Sequence, residues 1–416
     1  MFVVALAFRL AGWAAASADS SRLLVPPDSA EYVSIGRNLE AGHGFSVDPS
    51  PPYRPDLRRT PAYPLLLATV FRLSGGSVRI AAVVGALLGS IAAAATYRVA
   101  LQLVGGEGAL AAGLLLAVDA SSVAYDVVLL TEGLFTLLVV SSALQLVKRP
   151  LLRRDLVVAA LFLGAAILCR PIALLLPVAL LPVLMWKSNG VVRALLDYAL
   201  VNAICGLAVA LWVARNALVA GVMTFSSVGA ANLYLHRAAA VEARIEGRDV
   251  DIVRDEWQRE WDANGRAASE QAKFTELVRQ GWTLIRRHPA IYARAYVDGL
   301  KRMAGPDKEA VRQLVSSGRE TPVVRWLIGI SAVQLLVTYA LAVYGLWYEG
   351  WKRQRWSAMM IPVTFIAYFV VTAGPEVYPR FRVPMMPFVL ILSGAGLGAW
   401  LIPSSWARRV RFNGTT

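Results

Sequence analysis

The sequence predicts an all-α polytopic membrane protein, a bundle of about ten transmembrane helices with amphipathic helices in two long outer loops. Three observations predict it. Of the 416 residues 57% are hydrophobic and only 17% are charged, against about a quarter charged in a soluble chain, and the mean hydropathy is +0.53. Uncharged apolar runs long enough for about 30 Å of hydrocarbon recur along the chain. The Lys and Arg residues, which give a net charge of +14, gather in short segments between those runs, as the positive-inside rule describes. No nucleic-acid-binding signature accompanies them, so the basic balance reads as topology and not as a nucleic-acid partner. Cys169 and Cys205 both lie in apolar runs and act as small hydrophobes, which excludes a disulfide scaffold.

Spans are expected at residues 2–18, 80–103, 108–124, 127–147, 156–170, 172–186, 195–214, 326–348, 357–374 and 383–402. This count places four basic groups on one inner side: Lys148, Arg149, Arg153 and Arg154; Lys187 and Arg193; Lys352, Arg353 and Arg355; Arg408, Arg409 and Arg411. Residues 156–186 as one helix would be about 46 Å long, too much for one crossing. Two short helices turning at Arg170-Pro171 keep the flanking basic loops together. Arg9 falls at mid-depth in the first run, so it snorkels, pairs inside the bundle, or marks a native start upstream of Met1.

The outer side then holds two long segments, 19–79 and 215–325, and short turns near 119–126, 170–172 and 375–382. Function is sought there, because long loops with helical patterning are seldom mere connectors. Residues 271–287 set Phe274, Leu277, Val278, Trp282 and Ile285 on one face of an amphipathic helix, and a second begins near His288-Pro289. The chain divides into an N-terminal transmembrane part at 1–214 with a catalytic first outer loop (19–79), an outer-face loop at 215–325 and a C-terminal transmembrane part at 326–416. No internal repeat of the secondary-transporter kind is present.

Several outer residues can carry chemistry. Asp28, with Glu31 three residues on, has the form of a helix cap and capping box; a carboxylate so placed can also take a proton from an acceptor hydroxyl. Arg58 and Arg59 precede an apolar helix and suit either a phosphate or plain anchoring to headgroups. Glu132 lies within an apolar run, where a charge costs about 2–3 kcal/mol without a cavity or partner. It is a functional candidate or a structural partner of Arg170. Arg215, Arg380 and Arg382 bring further cations to the same level, and with Arg58 and Arg59 could form a pocket for a lipid phosphate.

Other signals are bland. His43, His236 and His288 lack metal-ligand spacing, Asp249 and Asp251 read as a solvated face, and no residue set supports a metal or other cofactor. Gly394, Gly396 and Gly398 read as close helix packing, and Asn413-Gly414-Thr415 is a sequon on the inner tail.

In order along the chain, Arg9, Asp28-Ser29-Ala30-Glu31-Tyr32, Gly42-His43-Gly44-Phe45, Arg59-Thr60-Pro61-Ala62-Tyr63-Pro64, Leu130-Thr131-Glu132-Gly133-Leu134-Phe135, Arg170-Pro171, Trp212 with Arg215-Asn216, and Arg380-Phe381-Arg382-Val383-Pro384 resemble the GT-C superfamily of polyprenyl-phosphate-sugar-dependent glycosyltransferases. The nearest likeness is to bacterial relatives of the dolichyl-phosphate-mannose protein mannosyltransferases and of the aminoarabinose lipid A transferases. The resemblance implies a GT-C-like bundle in the inner or plasma membrane, with its active site on the extracytoplasmic side. It implies Asp28 as general base, with Glu31 and Glu132 as accessory acids. Arginines meet the lipid phosphate, from among Arg58, Arg59, Arg170, Arg215, Arg380 and Arg382. The expected partners are a polyprenyl-phosphate-sugar donor and a lipid, glycan or protein acceptor. Two departures stand out: many relatives carry adjacent acids in the first loop, and many extend further past the last span. A flippase or transporter for the same lipid, without transfer, is the alternative.

Overall fold

The computed structural model describes residues 1–264, 270–315 and 321–401, and every regular element in that range is a helix, with no strand among the described residues. Arg408, Arg409, Arg411 and the Asn413 sequon lie outside the described residues. Among the described residues four helices are long and apolar enough to cross a membrane: Val78–Val104, Val191–Ala220, Pro322–Lys352 and Pro379–Leu401. The pair Gly106–Val118 and Ala120–Asp126, bent by 55°, makes a fifth, and shorter apolar helices cover Phe2–Ser17, Ala62–Ser74, Glu132–Leu146, Pro171–Lys187 and Trp356–Thr372.

The remaining expected spans differ from uniform rods at identifiable residues. The 108–124 run breaks at Asp119, whose carboxylate caps the next turn by accepting from the Ser122 N–H at 2.9 Å and the Ser122 hydroxyl at 2.8 Å. The 127–147 run is helical only from Glu132, because 127–131 is a buried non-helical stretch whose Leu129 N–H donates to the Leu23 carbonyl. Glu132 is therefore the first residue of its helix, not an interior one. The turn at Arg170-Pro171 is present, since the helix Arg153–Cys169 ends there. The expected second arm is broken again, into Leu176–Ala179 and Leu181–Lys187, each with a proline at its start where no N–H is required.

The central layer packs Val78–Val104, Gly106–Val118, Glu132–Leu146 and Met386–Leu401 against one another, with Phe2–Ser17 and Arg153–Cys169 on its flanks. Pro322–Trp347 lies along Met386–Leu401, and small residues let the backbones approach. A Cβ on Gly394 would run into the Gly108 carbonyl and one on Gly396 into the Leu341 carbonyl, whereas at Gly398 the nearest atom is 3.6 Å away. Gly394→Val is expected to lower stability by about 1–3 kcal/mol, while Gly398→Ala stays within about 0.5 kcal/mol of wild type; thermal unfolding in detergent checks both.

Arg9 does not snorkel. It is 1% exposed, and its Nε meets Asp126 Oδ2 at 2.8 Å. Removing one member of such a buried pair strands the other charge. Arg9→Met is accordingly expected to destabilise by about 3 kcal/mol, with partial recovery in Arg9→Met/Asp126→Asn, measured by the same unfolding assay.

Contacts sort the loops to two ends. Lys187 Nζ donates to the Lys148 carbonyl at 3.1 Å, Arg149 Nη2 to Ser357 Oγ at 3.3 Å and Arg355 Nη2 to the Leu103 carbonyl at 3.0 Å. Three of the basic groups thus share one end of the bundle, and the two long loops occupy the other. There Glu270–Arg287 is the expected amphipathic helix, but only Leu277 and Ile285 of its apolar face are buried; Val278 and Trp282 remain exposed. Pro289–Ala304 follows it.

Candidate active site

The helix Asp28–Glu40 begins at Asp28, behind Pro27. Its start has no side-chain cap, and the Ser29 hydroxyl instead accepts from the Val25 N–H at 2.9 Å. The capping-box reading of Asp28 and Glu31 is thereby corrected. Both carboxylates turn to guanidinium groups, a stronger charge-assisted pairing than a neutral cap.

Arg59 makes the first link. Its Nη2 lies 2.7 Å from Asp28 Oδ1 and its Nε 2.5 Å from Glu31 Oε2, while Nη1 donates to the Tyr32 hydroxyl at 3.1 Å. Arg58, half exposed at the rim, takes the other Glu31 oxygen at 2.9 Å. Arg380 makes the second link, with Nη1 2.9 Å from Asp28 Oδ2 and Nε 2.5 Å from Glu132 Oε1. Arg170 completes the row: its Nη1 reaches Glu132 Oε1 at 2.5 Å and Thr131 Oγ1 at 3.2 Å. Glu132 is fully buried, and its Oε2 has no hydrogen-bond partner among the described residues.

Local sequence explains why these arginines hold their positions. Asp56 Oδ1 accepts from the N–H groups of Arg58 and Arg59 at 3.1 and 2.7 Å, an Asx turn that presents both side chains. Aromatic faces support the guanidinium planes: Arg59 stands over Tyr32 at 4.6 Å, Arg170 over Phe135 at 5.6 Å and Arg380 over Tyr125 at 5.8 Å. Tyr63 packs edge-on against Tyr32 with ring centroids 5.1 Å apart.

Two expected phosphate ligands are not brought into this row. Arg215 donates to the Asp56 carbonyl at 3.0 Å and stacks over Phe45 and Trp212 at 5.1 and 4.9 Å, so it braces the turn that carries Arg58 and Arg59. Arg382 is 1% exposed and donates to the Met303 and Gly305 carbonyls and, at 2.9 Å, to the Ser121 hydroxyl. With no carboxylate within ion-pair distance among the described residues, this buried guanidinium takes carbonyl oxygens, which lie at the end of the helix Pro289–Ala304. The sequence assigned no role to Asp56, Tyr32 or Tyr63, although Tyr32 and Tyr63 stand in the motifs above and Asp56 lies two residues before a paired arginine.

Three acids (Asp28, Glu31, Glu132) pair with four arginines (Arg58, Arg59, Arg170, Arg380), and the Asp56 carboxylate lies beside Glu31 and Arg59. Burial would raise the Asp28 carboxyl, but the Arg380 and Arg59 guanidinium groups outweigh it and hold the group down at about 2. It is ionised at neutral pH and 28% exposed, which leaves it open to an incoming group. Burial pushes Asp56 above the usual carboxylate range against the hydrogen bonds of its turn. Among the described residues no three His, Cys, Asp or Glu side chains are grouped as a metal ion would require.

Residues 58–214 match the dolichyl-phosphate-mannose-protein mannosyltransferase family. No curated protein matches the chain. Among solved structures, it superposes on ArnT from Cupriavidus metallidurans bound to undecaprenyl phosphate with a TM-score of 0.52 at 15% identity, covering 98% of this chain and 62% of that one. The Archaeoglobus fulgidus oligosaccharyltransferase AglB, in complex with an inhibitory peptide and a dolichol-phosphate, gives 0.51 at 13% identity over 98% and 52%. The apo form of the Archaeoglobus fulgidus oligosaccharyltransferase gives 0.56 at 12% identity over 98% and 51%. The chain therefore spans between half and about three fifths of the length of these three proteins.

Proposed function

For a chain with the GT-C membrane fold, we propose an inverting glycosyl transfer from a polyprenyl-phosphate sugar to a lipid, glycan or protein acceptor at the outer face of the membrane. The observation that carries this reading is the alternating row of three acids and four arginines, centred on Asp28. A polyprenyl phosphodiester supplies one negative charge. As the bond between the anomeric carbon and the phosphate oxygen breaks, the leaving lipid phosphate acquires a second, so the arginines bind the transition state more strongly than the ground state.

Asp28 takes the proton from the acceptor as the acceptor oxygen or nitrogen bonds to the anomeric carbon from the opposite face. At about 2 its carboxyl is a weak base in the resting site. A bound phosphate draws Arg59 and Arg380 towards itself and frees that carboxylate, so donor binding raises the basicity of Asp28. Glu132 keeps Arg170 and Arg380 in register. In this reading the parts 1–214 and 326–416 supply the acid–arginine row and 215–325 receives the acceptor.

The test is transfer of labelled sugar from polyprenyl-phosphate donors to extracted acceptors by the purified protein. Movement of labelled lipid across proteoliposomes with no transfer favours the transporter instead. The acid limb of kcat/KM, which reports the free enzyme, is expected below the ordinary carboxylate range. The sign agrees with stability: a depressed carboxyl stabilises the fold at neutral pH and loses that contribution only as the pH falls towards about 2.

A further inference from the structure

Arg380 stands in the turn Pro379–Met385, which a non-helical strap at 373–378 joins to the helix Trp356–Thr372. The strap has no backbone ladder, so its polar groups need other partners. The outer loop supplies them. At the end of the preceding helix Tyr296 donates its hydroxyl to the Val370 carbonyl and Arg237 Nη2 donates to the Thr372 carbonyl at 2.9 Å, and in the strap the same Nη2 donates to the Ala373 carbonyl at 2.8 Å. Arg302 Nη2 donates to the Pro375 carbonyl. Gly299 lies so close to Gly374 and Pro375 that a Cβ there would meet the Pro375 carbonyl at 2.8 Å.

The one charged residue of the strap is Glu376. Its Oε1 receives Arg302 Nη2 at 3.1 Å and its Oε2 receives Arg254 Nη2 at 3.3 Å, from two different helices of the outer loop. Arg244 and Asp251 also face it, and its side chain is 14% exposed. It stands in the wall of a cavity of about 500 Å³ on the outer face. Four residues later, Arg380 bridges Asp28 and Glu132.

We propose that Glu376 is a positioning residue, whose clamping by Arg254 and Arg302 fixes the strap where Arg380 reaches both Asp28 and Glu132. Its effect on turnover rests on the transferase reading above; its effect on the strap does not. A guanidinium that must meet two carboxylates on separate helices tolerates little backbone drift, and misplacement of about 1 Å in such a group can cost 10²-fold in rate.

The test compares wild type, Glu376→Gln, Arg380→Lys and the double variant as full-length protein in detergent. Glu376→Gln is expected to lower kcat about tenfold with acceptor KM within about twofold, and Glu376→Asp to recover part of the loss. In the Arg380→Lys background, Glu376→Gln should have no further effect; additive losses overturn the proposal. Hydrogen exchange supplies a reading independent of transfer. Glu376→Gln should speed exchange in peptides covering 374–382 and also 26–33, where Arg380 pins the start of the Asp28 helix. Unchanged exchange at 26–33 overturns the proposal whether or not sugar is transferred. Faster exchange there in a protein that transfers nothing overturns the transferase reading alone. If Glu376→Gln does not fold, Arg254→Gln with Arg302→Gln opens the clamp from the other side and is read in the same way.

Discussion

Asp28→Asn is expected to lower sugar transfer by about 10²–10⁴-fold while the protein still folds and still binds the donor lipid. Folding survives because each arginine on Asp28 has a second acid: Arg59 keeps Glu31 and Arg380 keeps Glu132. Donor affinity should hold or rise, since the substitution removes a carboxylate that competes with phosphate for both guanidinium groups. That opposition of rate and affinity separates loss of a base from collapse of the site. Single-turnover transfer and equilibrium binding of polyprenyl phosphate measure the two quantities, and a variant with wild-type turnover would remove Asp28 from the role of base.

Substitution of Arg380 has the second large effect, and it acts on stability as well as rate. Arg380→Ala leaves buried Glu132 with Arg170 alone and Asp28 with Arg59 alone. A broken buried ion network costs about 3–5 kcal/mol, so a clear fall in the unfolding midpoint is expected. Arg380→Met with Asp28→Asn removes one charge of each sign and leaves Glu132 with Arg170 and Arg59 with Glu31, so it should regain much of that stability without regaining turnover. Arg380→Lys keeps the charge but not the fork that reaches two acids at once. It is expected to fold and to lose about 10²-fold in turnover. Unfolding in detergent and steady-state transfer by the same three variants check these results.

How far the site could be read in advance varied by residue. Asp28, Arg59 and Arg380 stand beside turns and helix starts on the outer side of an apolar pattern, and their charge within that pattern marks them. Comparable depth in neighbouring spans left a pairing of Glu132 with Arg170 as one of two open readings, and the pair is present at 2.5 Å. That Arg380 joins the same carboxylate could not follow from sequence, because 248 residues separate the two. Arg215 and Arg382 show the converse. Their positions at span ends look like those of Arg59 and Arg380, yet the carbonyls that surround them turn them into braces.

Apolar run length and the spacing of Lys and Arg determined by themselves that this is a helical membrane bundle with two distinct ends, because both follow from the cost of placing charge and unpaired backbone in hydrocarbon. They did not determine where the helices break. Asp119, the stretch 127–131 and the prolines at 177 and 182 interrupt runs that composition alone would make continuous. Which arginine meets which acid was decided only by tertiary structure. A charge in low dielectric is held by partners within a few ångströms, and those partners come from distant parts of the chain.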